Sequence, residues 1–252
     1  RQWAFLLFPG FFILIFFKNK YKKKKYINLI FSSFFIGFIV SSWFYFSLFF
    51  RYGSFTSFNK EPIGFSFFNQ PISFYIPNFS DILLMFTEPI RPNFSNQFLT
   101  ILYSDFWGDY WGYFSFTSRN LEEGRNQLLI GEYLGRVNSF SIFATVFFIF
   151  CFINFRKFHK KIIFSRYITL SITISFFGYL WFLISYPELP TGDTIKATSM
   201  VQFFNLLLIP ATIKLVNFRE SKHVIYKPLI FYFTFILLHN FSSYLSHFPY
   251  RF

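Results

Sequence analysis

Six apolar runs, most of them near the length a helix needs to cross a bilayer, constrain this chain more than anything else in it. They are residues 3–17, 27–50, 137–155, 167–186, 197–217 and 228–246. A bilayer core of about 30 Å needs roughly 20 apolar helical residues. Charge is almost excluded from these runs. Lys214 is the exception, and it lies close enough to the end of its run to extend its ammonium toward the headgroups. The Phe and Ile content would suit strands in water, but a lone strand in lipid leaves its backbone amides and carbonyls unpaired. A transmembrane barrel would show alternating segments of about ten residues, whereas these runs are continuous. The expected fold is all-α: a multi-span integral membrane bundle of about six transmembrane helices with one long non-cytoplasmic loop.

Composition agrees. Only 14% of residues are charged, against about a quarter in a soluble domain. The 48 Phe exceed what one soluble core hides. Abundant Phe, Lys, Ile and Asn match an AT-rich genome, which explains the choice of apolar residue but not where the runs fall. A net charge of +13 would suggest nucleic acid if it formed a soluble basic face. Here the cations punctuate apolar runs, so no nucleic-acid partner is expected. Cys151 is the single cysteine and says nothing about redox compartment.

Lys and Arg placement sets the expected orientation. One set of connections carries Lys18, Lys20, Lys22 to Lys25, then Arg156, Lys157, Lys160, Lys161 and Arg166, then Arg219, Lys222 and Lys227. The other set holds nearly all the carboxylates. The basic set is expected in the cytoplasm of a multi-pass protein, with the bacterial inner membrane as the setting. Organisation follows as residues 1–50, two spans joined by a basic loop; 51–136, an aromatic-rich outer loop suited to packing at the membrane interface; and 137–252, four spans with short loops. Within the loop, Ile82 to Phe86 suggests a turn of interfacial helix, and residues 121–136 an amphipathic helix leading into the third span. The chain starts with Arg1 and a short first run, and reads as part of a longer protein. A signal peptide over residues 1–17 is the competing reading, but the basic cluster follows the apolar run and no small-residue cleavage site is present.

Two constellations carry candidate chemistry. Tyr103-Ser-Asp-Phe-Trp-Gly-Asp-Tyr-Trp-Gly-Tyr113 sets Asp105 and Asp109 among aromatic rings that include Trp107 and Trp111. Such rings stack on sugars, and the carboxylates accept sugar hydroxyls or hold a divalent metal, which the sequence does not require. The alternative is an aromatic belt at the membrane interface. The second constellation is Pro187-Glu-Leu-Pro-Thr-Gly-Asp-Thr-Ile-Lys196, where Lys196 stands at headgroup depth and suits a lipid phosphate. Its alternative is a pair with Asp193 or Glu188. His239 lies inside the sixth run, a functional candidate by position, although one His bonded to a neighbouring helix is the commoner case. Asn78-Phe-Ser and Asn93-Phe-Ser are glycosylation sequons on the expected outer side.

The stretch Trp43-Phe-Tyr-Phe-Ser-Leu-Phe-Phe-Arg-Tyr-Gly-Ser-Phe-Thr-Ser-Phe-Asn59 resembles the span end of polyprenyl-phosphate-sugar glycosyltransferases of the protein-mannosyltransferase (GT-C) type. Gly192-Asp-Thr-Ile-Lys-Ala-Thr-Ser-Met200, followed by a span containing Pro210, is similar to a late segment of the same superfamily, with Ser199 where an aromatic is commoner. The resemblance implies transfer of a sugar from a polyprenyl-phosphate donor to an acceptor outside the cytoplasm. It also implies a catalytic Asp in an earlier outer loop, upstream of this chain, and a donor-phosphate contact at Lys196. Asp105 and Asp109 are proposed from their own chemistry, with Trp107 and Trp111 beside them. A transporter or a non-catalytic membrane subunit is the rival reading.

Overall fold

The computed structural model describes residues 6–16, 20–53, 63–87, 89, 96–109, 127–158, 163–189, 192 and 194–245. Among these, helices α1 Phe8–Phe16, α2 Lys20–Tyr52, α3 Ile72–Tyr75, α4 Phe79–Thr87, α5 Phe98–Trp107, α6 Gln127–Phe158, α7 Ile163–Ser185, α8 Val201–Glu220 and α9 Tyr226–Leu245 follow in order. No strand occurs among the described residues, and the all-α expectation holds. Helix ends have local causes. Gly53 closes α2 with φ +66°, its N–H donating to Phe49 O at 2.8 Å, a left-handed cap that glycine adopts without a Cβ penalty. At the start of α4, the Asp81 carboxylate accepts the Asn78 N–H at 3.3 Å.

Among the described residues, four helices are long and apolar enough to cross a membrane: Lys24–Tyr52, Gly131–Lys157, Phe164–Ser185 and Ala197–Glu220. Their outer surfaces agree with that setting. On α2, Phe31, Phe35, Ile36, Val40 and Trp43 are all exposed, and only 6% of its most apolar window is buried, against 44% in α7. A water-soluble protein does not leave such a face open. Two of the six expected spans differ. The first run yields the nine residues of α1, a rise of about 14 Å and too short for a crossing. The last run yields α9, which has 20 residues but carries Lys227, His239, Asn240 and Ser243.

The bundle is organised around α6, α7 and α8, which pack on one another; α1 lies on α7, α9 on α6, and α2 against α1. The larger surprise is the stretch between α2 and α6. Its described parts make tertiary contacts with the spans. They fold into the bundle, with α4 and α5 packed on α6. Phe74, Phe98, Ile101 and Leu102 from that stretch share a core cluster with Tyr179 and Leu183 of α7 and with Ile195 and Met200 before α8. The largest buried cluster thus forms at one end of the spans. The last ten residues of the expected 51–136 loop, from Gln127, are the opening turns of α6, so the third span's helix starts well before residue 137.

Candidate functional site

Short α5 is the element that gathers the candidate side chains. Seven of its ten residues are buried, including Asp105 at 0% exposure and Trp107 at 8%. A buried polar helix needs partners for its polar groups, and neighbouring helices supply them. From α6, Asn138 donates to Ser104 Oγ at 2.9 Å and to Met85 O, near the end of α4, at 2.7 Å. Tyr103 donates its hydroxyl to Asn138 O at 2.6 Å. Burial pushes the Tyr103 phenol above its ordinary range, so it stays a neutral donor. At the other end of α5, the Trp107 indole donates to Thr145 Oγ1 at 2.8 Å, and the Trp107 carbonyl accepts from Asn240 of α9 at 3.3 Å.

Asp105 faces away from these contacts, toward α7. It lies on the face of α5 that carries Phe98 and Ile101 into the core cluster with Tyr179, a phenol whose hydroxyl must be satisfied. The same hydroxyl accepts the Lys196 backbone N–H at 2.8 Å and donates to Thr194 O at 2.8 Å. Tyr179 is fully buried, and its hydroxyl ties α7 to the chain at Thr194 and Lys196. Lys196 stands just before the 3-10 turn Ala197–Met200, which packs on α5, and its side chain is half-buried. Asp109 follows α5 at 1% exposure, its N–H donating to Ser104 O at 3.1 Å.

On the opposite side of α5 lies an apolar cleft of about 430 Å³. Leu102, Tyr103 and Phe106 of α5 form one wall; Thr145, Phe148 and Ile149 of α6 and Phe203, Phe204 and Leu207 of α8 form the others. Phe106 and Phe204 stack at 3.9 Å between ring centres. The cleft takes a hydrocarbon chain or an aliphatic ligand, and it offers almost no polar contact.

Asp105, Lys196 and Trp107 are therefore grouped around α5, with Asp109 at its end, while Trp111 and Asp193 lie outside the described residues. Among the described residues, no group of three or more His, Cys, Asp or Glu is placed to hold a metal ion. His239 sits in an aromatic setting: its ring stacks on Tyr133 at 5.7 Å, and Nδ1 lies 2.9 Å from Asn240 Oδ1. It makes the local contacts of a packed histidine. Tyr179 and Asn138 were missed by sequence reasoning, since a lone Tyr or Asn inside an apolar run gives no signal of what it will meet.

Comparison with protein-family models, with curated proteins and with solved structures finds no match to this chain. What stands is its class: an all-α protein with helices suited to a lipid bilayer and a buried polar centre beside an apolar cleft.

Proposed function

We propose that this chain belongs to a membrane glycosyltransferase that moves a sugar from a polyprenyl-phosphate donor to an acceptor on the non-cytoplasmic face. The observation that carries the reading is the pairing across α5: the buried Asp105 lies on the side of Tyr179, whose hydroxyl holds the backbone at Lys196, and the 430 Å³ apolar cleft lies on the other. A lipid-linked sugar needs both kinds of surface. Its isoprenoid chain suits an apolar groove, its phosphate suits a lysine, and its sugar hydroxyls suit carboxylates and rings. In this reading the basic ends of α2, α6 and α8 face the cytoplasm, and the α5 end of the bundle faces outward. Asp105, Asp109 and Lys196 then bind and orient the donor rather than act as the catalytic base.

The test follows labelled sugar leaving polyprenyl-phosphate donors in membranes that hold the full-length protein. Wild type transfers label; Lys196→Ala and Asp105→Asn/Asp109→Asn transfer at least about tenfold less at equal expression. A second reading, a non-catalytic membrane subunit, is favoured by the burial of both carboxylates, at 0% and 1% exposure, which suits pins of a scaffold. It predicts no transfer by any form, with the Asp variants losing stability alone.

A further inference from the structure

Lys214 stands inside the candidate span Ala197–Glu220, and the structure places it beside a small cavity. It lies six residues before the end of α8. Along that helix it is about 27 Å from Lys196, close to the full thickness of a bilayer core. Its ammonium sits 4.7 Å from the Phe218 ring centre and 5.8 Å from that of Phe150, and it has no carboxylate partner among the described residues. Two rings hold it, and none of its N–H donors is satisfied by an anion. An ammonium in a span is costly unless something compensates it.

Beside it is a cavity of about 120 Å³ between α6 and α8, lined by Cys151, Asn154, Pro210, Lys214 and Asn217 among others. Its lining is more polar than that of the cleft at α5, though still partly apolar. Asn217 offers a side-chain amide that makes no hydrogen bond among the described residues, while Asn154 donates to Phe150 O of its own helix at 3.0 Å and retains a second N–H. Pro210 lacks a backbone N–H, which leaves the helix less regular at the cavity floor. Further toward the same helix ends, Arg156 and Lys157 occupy the last turn of α6, and Arg219 with Glu220 the last turn of α8. The volume admits a phosphate-sized group, and the donors are an ammonium and two amides, that of Asn217 exposed.

We propose that the α6–α8 cavity binds a phosphate group at the basic end of the bundle, with Lys214 as its charge partner and Asn217 and Asn154 as hydrogen-bond donors. The phosphate comes either from the headgroup of an anionic membrane lipid or from free phosphate. The depth of Lys214 and the lipid-facing position of the groove suit the headgroup, whose acyl chains then lie along α6 and α8. This site stands at the opposite end of the spans from Lys196 and does not depend on the transferase reading.

Native mass spectrometry of the detergent-solubilised protein, titrated with phosphatidylglycerol or phosphatidylcholine, tests it, with thermal stability in the same samples and in millimolar inorganic phosphate. Wild type is expected to retain one phosphatidylglycerol in preference to phosphatidylcholine. Lys214→Gln and Asn217→Leu are each expected to weaken that retention about tenfold. Lys214→Arg should restore it, and the helix-end variant Arg219→Gln should keep it. Stabilisation of wild type but not Lys214→Gln by inorganic phosphate alone assigns the site to free phosphate. Equal retention of the two lipids together with no effect of inorganic phosphate, or unchanged phosphatidylglycerol retention in both Lys214→Gln and Asn217→Leu, overturns the proposal.

Discussion

Asn138 donates both of its amide hydrogens to other elements, to Met85 O at 2.7 Å and Ser104 Oγ at 2.9 Å, and holds α4 and α5 against α6. Asn138→Ala strands a carbonyl and a hydroxyl where water is scarce. We expect a loss of about 1–3 kcal/mol in stability, read as a lower unfolding temperature in detergent. Gly135, one turn earlier, acts by having no side chain: a Cβ there would lie 2.6 Å from Phe86 O, a backbone atom that cannot swing aside. Gly135→Ala should therefore push α4 off α6 and lower the unfolding temperature by several degrees. Gly37→Ala, in open space on α2, should leave it unchanged or slightly raised. These residues also show what one sequence can disclose. Asp105 and Lys196 stood out because charge is scarce near the spans. Asn138 and Tyr179 did not, because their roles come from partners many residues away, such as Lys196 for Tyr179.

At the scale of elements, the C-terminal end of α7 exposes carbonyls that its own helix cannot satisfy. Three of them are met from the stretch before α3: Leu183 O accepts Gln70 Nε2 at 2.7 Å, Ile184 O accepts Asn69 Nδ2 at 2.9 Å, and Ser185 O accepts the Ile63 N–H at 3.2 Å. Asn96 donates to Gln70 Oε1 at 2.9 Å and extends the lock toward α5. The double variant Asn69→Ala/Gln70→Ala should loosen residues 63–77 before the rest of the protein. Hydrogen exchange there should rise at least about tenfold while α8 keeps its protection. Equal exchange in both proteins would mean that apolar packing around Phe74 holds the segment unaided. The long spans were legible because twenty apolar residues in a row have one physical outcome in lipid. Helix α5 was not. Its ten residues carry an Asp and sit among Pro, Asn and Gly, a pattern that fits a loop as well as a helix. Only the partners on α6, α7 and α9 make burial of that segment affordable.

For the whole molecule the open matter is α9, whose polar residues thin its apolar run. Where those residues go decides how it sits. Tyr232 of α9 donates to Phe140 O at 2.6 Å and accepts the Ala144 N–H at 3.0 Å. Asn240 donates to Ser141 Oγ at 3.1 Å and to Trp107 O at 3.3 Å, and His239 O accepts the Tyr133 hydroxyl at 2.8 Å. As α9 advances from Tyr232 to His239, its partners on α6 step back from Ala144 to Tyr133, so the two helices run antiparallel. Tyr232 and Asn240 thus turn to α5 and α6, Thr234 and Ser243 bond carbonyls of α9 itself, and the exposed side is mostly apolar, with Phe231, Leu237, Leu238 and Phe241. A helix that satisfies its polar groups against neighbours crosses a bilayer with less average hydropathy than one standing alone. We therefore expect α9 to be a further crossing. Single cysteines placed in a Cys151→Ser background test this in sealed vesicles with an impermeant thiol reagent. Lys24→Cys and Lys222→Cys should react from one face, and Glu188→Cys and Ser242→Cys from the other. Reaction of Ser242→Cys from the Lys222 face would instead make α9 a helix that enters and returns. The lock between Asn240 and Trp107 would then have to form without α9 spanning the membrane.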